Sequence, residues 1–138
     1  MKEITIKEVE YLAHKLAKER LSFDEPIPDF ASRFPEKLES CLVIPFQKFA
    51  GKFPYSTLLD KASILFYLMI KNHPFMNGNK RVAITTLLLL LYKNGKWIYE
   101  DQYELYRFTM WIAKSPSTVK DATVQAIKDY LLKTVKDK

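Results

Sequence analysis

The sequence predicts an all-α fold, a compact bundle of helices. Three observations carry that expectation. Only three of the 138 residues are glycine, too few for the tight turns a sheet protein needs. Apolar residues recur at helical spacing through the longer segments. One stretch, TTLLLLLY at residues 85–92, is apolar almost throughout yet far too short to span a bilayer. A helix of that kind belongs at the centre of a bundle. The apolar share of 48% suffices for a core. The length fits one domain, 1–138, without repeats, low-complexity tracts or linkers.

The elements follow in chain order. Thr5-Ile-Lys-Glu8 is a capping-box pattern that starts the first helix. Val9, Leu12, Ala13, Leu16 and Ala17 mark its apolar face. Ser22 to Pro35 is irregular, broken by Pro26, Pro28 and Pro35. PEKLESCLV holds a short helix with Leu38, Cys41 and Leu42 inward. IPFQKFAGKFPYS, residues 44–56, reads as a loop or loose hairpin. Leu58 to Ile70 is a helix with Leu58, Ala62, Leu65, Phe66, Met69 and Ile70 on one face.

Val82 to Lys93 is the central helix, expected to be covered all round and closed by Asn94-Gly95. Asp101 to Ala113 is a further helix, with Asp101 and Glu104 placed as an N-terminal box. Ser115-Pro116 opens the last helix, with proline at its first position. Its buried stripe would be Val119, Ala122, Ala126, Ile127, Tyr130 and Leu131. The terminal KTVKDK reads as a solvated tail.

Composition excludes several classes. Cys41 is the only cysteine, so neither an intramolecular disulfide nor a cysteine zinc site can form. His14 and His73 are the only histidines, which excludes a His-rich metal site. The opening MKEITIKEVE has no apolar signal region. These features predict a reduced, cytoplasmic setting and no membrane. The net charge of +6 favours acidic partners in general. No helix concentrates the lysines on one face, so the charge reads as a solubilising surface and nucleic acid is not an expected partner.

One segment departs from the helical pattern. KNHPFMNGNKR, residues 71–81, is a polar loop between the two most apolar helices. Gly78 and Asn79 fall at the start of the central helix, where backbone N–H groups lack partners and the dipole is positive. Glycine lets a ligand approach the backbone closely. Lys80 and Arg81 add two positive charges. Together they read as a phosphate-binding turn. His73 comes just before, and histidine is the side chain that exchanges a proton near neutral pH. A base beside a phosphate nest points to group transfer from a nucleotide to a hydroxyl. Phe75 is the loop's core anchor. Singly, each piece also has a plain structural use: Asn-Gly as a turn, a loop histidine as a surface or capping group.

The combination His-Pro-Phe-x-x-Gly-Asn-Lys-Arg at 73–81 resembles the signature of the Fic/Doc family in its Doc (death-on-curing) form. LESCLVIPF, FAGKFPYSTLLDKASILFYLMIKNHPF and LYKNG are similar to Doc-type sequence in the same order, and ITIKEVEYLAHKL to the family's first helix. The resemblance covers residues 3 to about 97 well and the C-terminal helices loosely. It implies a compact helical fold with the motif between two central helices. It also implies His73 as the general base, Gly78, Asn79 and Arg81 on nucleotide phosphates, ATP as donor and Mg²⁺ as its metal. Phe49, Ala50, Gly51, Lys52 and Phe53 would form a flap that pins a protein target by main-chain pairing. A loop whose aromatics cover the core is the alternative use of that segment.

Most Fic members carry a second glycine where this chain has Lys80, and transfer AMP. In the Doc-like type the nucleotide lies reversed and the γ-phosphate moves to elongation factor Tu, stopping translation until a separate antitoxin protein blocks the enzyme. Lys80 fills space a glycine leaves open and offers a point charge to a different phosphate, which favours the kinase outcome over AMP transfer. No internal inhibitory helix is readable in the sequence, which agrees with a separate antitoxin. The family's metal-binding Asp or Glu is replaced by Asn77. An amide oxygen ligates Mg²⁺ without bringing charge. A slow enzyme, an altered metal requirement and a non-catalytic binding module therefore all stay open.

Overall fold

A computed structural model describes residues 1–21 and 26–138. Residues 22–25, part of the stretch expected to be irregular, lie outside the described residues. Helix α1 runs through Ile6–Glu8, a π-helical turn at Val9–His14, and Lys15–Arg20. Thr5 and Glu8 close the expected box: the Glu8 N–H donates to Thr5 Oγ1 at 3.2 Å and the Thr5 N–H to Glu8 Oε1 at 3.0 Å. The buried line is Val9, Ala13, His14 and Ala17, while Leu12 and Leu16 are exposed. A spacing of four residues suits a helix whose turn is widened locally, which is why the expected face was only half right.

Helix α2 (Pro35–Val43) starts at Pro35, which needs no N–H there, and buries Leu38, Cys41 and Leu42. Burial pushes the Cys41 thiol up to about 12, so it packs as an inert apolar group. Helix α3 (Leu58–Lys71) is started by Thr57 and Asp60, which form a second reciprocal box. From Lys61 to Ile70 every residue of α3 is buried.

Helix α4 (Asn79–Lys93) packs against α3 and α1. It is not covered all round, contrary to the sequence expectation. Leu88 and Leu89 are half-buried and Tyr92 is exposed. With Tyr11, Leu12, Leu16 and Trp97 they line an open apolar groove of about 460 Å³. The cause is the same widened turn, which directs Leu12 and Leu16 away from the core. Thr85 Oγ1 donates to the Ala13 carbonyl at 2.8 Å, tying α4 to that turn.

Gly95 (φ 76°) closes α4, as expected. A strand not expected from the sequence follows: β1 (Lys96–Ile98). Helix α5 (Gln102–Lys114) is capped by Asp101, which accepts from the Tyr103 N–H at 3.0 Å. Glu104 does not complete a box; it faces Arg107 at 3.2 Å instead. Pro116 is extended (φ −68°, ψ 143°) and precedes a 3-10 turn at Ser117–Val119, so it does not open a helix. Helix α6 (Lys120–Thr134) buries Thr123, Ile127, Leu131 and Thr134. Val119 and Ala122 are exposed, because the stripe starts only where the regular helix does.

The terminal residues are not a free tail. Strand β2 (Val135–Asp137) pairs antiparallel with β1, Trp97 opposite Lys136. Val135 is half-buried against the core, and that burial is what the tail reading overlooked. Apart from this two-stranded sheet the described residues are helix and loop, as the sequence predicts. No helix among them is long and apolar enough to cross a membrane.

Candidate active site

The motif loop occupies the gap between the C-terminus of α3 and the N-terminus of α4. His73 has φ 50°, a left-handed conformation that costs a non-glycine residue about 1 kcal/mol or more. The turn lifts its imidazole out of the helix end into solvent. The chain then dives inward. Pro74 is buried, and its carbonyl accepts the Phe34 N–H at 2.9 Å. Phe75 is buried against the rings of His14 and Phe30, with centroids 5.4 Å and 6.0 Å away. His14 is itself buried, with Nε2 2.9 Å from the Pro28 carbonyl. Met76 returns to solvent.

Asn79 shapes the loop. Its Oδ1 accepts the Phe75 N–H at 2.9 Å and its Nδ2 donates to the Phe75 carbonyl at 2.8 Å. The same Nδ2 lies 3.4 Å from His73 Nδ1. A contact of that length orients the imidazole without fixing its tautomer. Gly78 sits at φ 75°, and a Cβ there would meet Ile27 Cγ1 at 2.8 Å. Both the backbone and the close packing therefore demand glycine.

The helix start offers an anion site in outline. The Gly78 N–H is taken by Asn77 Oδ1 at 2.9 Å, and the first α4 bond is from the Val82 N–H to the Gly78 carbonyl. The amides of Asn79, Lys80 and Arg81 precede that ladder, at the positive end of the dipole. Lys80 is half-buried, and no carboxylate pairs with it among the described residues. Arg81 is turned inward at 3% exposure, its Nη1 donating to the Leu21 carbonyl at 3.2 Å. A phosphate on Arg81 would have to share the guanidinium with that backbone.

A divalent metal fits these residues poorly. The loop from 71 to 81 holds no carboxylate. Asn77 offers one neutral oxygen that already accepts a hydrogen bond. No group of three potential metal ligands forms among the described residues. Any Mg²⁺ would have to be carried by the phosphates of a bound nucleotide.

The hairpin of residues 47–56 lies before α3. Phe49 and Lys52 exchange both main-chain bonds, at 2.7 Å and 3.0 Å, around Ala50 (φ 51°) and Gly51 (φ 77°). Two positive φ values make a type I′ hairpin turn. Phe49 is 77% exposed and Phe53 47% exposed. Neither covers the core, which leaves the hairpin reading of the segment.

With the fold and the loop in place, the sequence model of the Fic/DOC family matches residues 3–91. The chain belongs to the Fic/DOC family. No curated protein and no solved structure matches significantly. Fic/DOC proteins are, broadly, transferases that act on proteins and use a nucleotide with a metal. The matched span ends at the last turn of the motif helix, so it contains the loop and everything that shapes it.

Several groups that build this Fic/DOC loop were not singled out in the sequence. Ile27, the Phe34 amide and His14 each hold it from a distant segment, and no local pattern reveals such pairings. Lys61 was overlooked although a signal existed: it is a lone cation three residues after Leu58 and four before Leu65, on an apolar face.

Proposed function

We propose that this Fic/DOC protein is a Doc-like toxin kinase, acting in the cytoplasm as a single domain, 1–138. It would transfer the γ-phosphate of ATP to a Ser or Thr hydroxyl of a translation factor, elongation factor Tu by family expectation. The observation that carries the reading is Lys80: a half-buried cation without a carboxylate partner, beside the first amides of α4. It offers a phosphate both charge and direct hydrogen bonds. A glycine at this position would leave only the amides.

His73 acts as the base. It is exposed and is held at the rim by its left-handed turn and the Asn79 contact. It accepts the hydroxyl proton as the target oxygen bonds to the γ-phosphorus, and the bond to the bridging oxygen breaks to release ADP. The 49–53 hairpin presents an unpaired edge to an extended target segment. A separate antitoxin protein would restrain the enzyme.

Asn77 favours a second reading, a non-catalytic member that binds nucleotide or partner only, because the loop supplies no metal carboxylate. Intact mass decides between them. The protein is incubated with bacterial elongation factor Tu, ATP and Mg²⁺, beside His73→Ala. A phosphate-sized gain abolished by His73→Ala supports the kinase, and an AMP-sized gain replaces it with AMP transfer. ATP binding by calorimetry without any gain supports the second reading.

A further inference from the structure

A lysine on the buried face of α3 is out of place. Lys61 is 4% exposed among Ala62, Leu65 and Phe66. Burying an ammonium costs free energy that leucine or methionine would not incur. The side chain leads away from the core towards the hairpin. Its Nζ donates to the Tyr55 carbonyl, and lies 4.9 Å from the Phe53 ring centroid and 5.4 Å from that of Phe46. Lys48 sits over the same Phe53 ring at 5.2 Å. Phe46 precedes the hairpin and Tyr55 follows it, so one ammonium ties both legs and the ring between them. Asp60, on the next turn back, is paired with Lys128 at 2.7 Å and caps α3 through Thr57. The hairpin thus has a fixed base, whereas its tip has a single bridge and two left-handed residues.

We propose that Lys61 is a positioning residue that holds the 47–56 hairpin at the angle from which its edge meets the protein target. It touches neither nucleotide nor target. The proposal rests on the hairpin being the target-pairing flap. Its consequence is a division of labour: Lys61 sets the KM for the protein target, and the motif loop sets turnover.

Lys61→Met keeps the apolar stem and removes the cation. Hydrogen exchange is the readout that does not depend on activity. Amides of 47–56 should exchange at least about tenfold faster than in the wild type, with α4 amides unchanged. Unchanged hairpin exchange overturns the proposal, as does equal acceleration everywhere. If Lys61→Met does not fold, Phe53→Leu, at an exposed position, must give the same local acceleration. In the transfer assay KM for the protein target should rise about tenfold, with kcat and the KM for ATP retained. A fall in kcat at unchanged KM also overturns it. If the wild type transfers nothing, the functional reading fails, while hydrogen exchange still decides whether Lys61 anchors the hairpin.

Discussion

Asn79 grips Phe75 by both ends of its amide, accepting from the Phe75 N–H at 2.9 Å and donating to the Phe75 carbonyl at 2.8 Å. The residue that a family comparison would place on phosphate is, in this molecule, the clasp of the loop. Asn79→Ala leaves two buried backbone groups unpaired. It should cost about 2–4 kcal/mol of stability, read from the urea midpoint. Transfer should fall even at saturating ATP, because His73 loses its nearest neighbour.

Gly78→Ala should be as damaging by a different route. The alanine must hold φ 75° and place its Cβ 2.8 Å from Ile27 Cγ1. The combined cost is about 2–4 kcal/mol. Ile27→Ala in the same chain removes the clash but not the backbone cost, so it should restore only part of the loss, net of its own cavity. Urea unfolding of the two single variants and the double gives the coupling directly.

At His73 stability and activity should part company. Glycine at φ 50° relieves a strained backbone, so His73→Gly should raise stability by about 1 kcal/mol. Transfer should vanish. A thermal melt beside the mass assay tests both halves, and a lower Tm would show that the histidine contributes contacts worth more than the strain.

Asn77→Asp keeps the oxygen that accepts the Gly78 N–H. It also adds a carboxylate near the positive end of α4, a favourable place worth about 0.3–1 kcal/mol. Transfer should rise at least about tenfold at low Mg²⁺. A Mg²⁺ titration of both proteins checks this, and superimposable curves would remove position 77 from catalysis.

His14 should give the protein an acid-sensitive region. Burial holds its imidazole below the ordinary 6.5, opposed by the Pro28 carbonyl and assisted by Lys18, with Asp29 and Glu10 opposing from further off. Below 6.5 the unfolded chain binds the proton and the folded one resists it. Its stability contribution is therefore complete above 6.5 and is lost as pH falls from there through the folded value. The urea midpoint should drop between pH 6.5 and 5, and His14→Gln should flatten that component.

The fold was legible wherever its cause is local. The Thr5 box, the α2 stripe, the α3 helix and the Gly95 stop are written in residues three or four apart. The motif loop was found because its composition breaks an apolar pattern. Pairings across the chain were not legible: β1 with β2, Ile27 against Gly78, Phe34 on Pro74. Asn79 was misread in role because the same residue type serves a phosphate or a backbone equally well. Thr57 and Asp60 form a box as plain as the one at Thr5, and it was passed over.

The π-helical turn at Val9–His14 has a last consequence, for heredity rather than chemistry. It stores one residue of slack in α1. Losing a single codon there would let the helix close to regular pitch and rotate everything after it by roughly 100°. His14 would leave Phe75, and Thr85 would lose the Ala13 carbonyl it now bonds at 2.8 Å. A gap one residue wide, far from the motif and easily dismissed in an alignment, would unseat the floor of the loop.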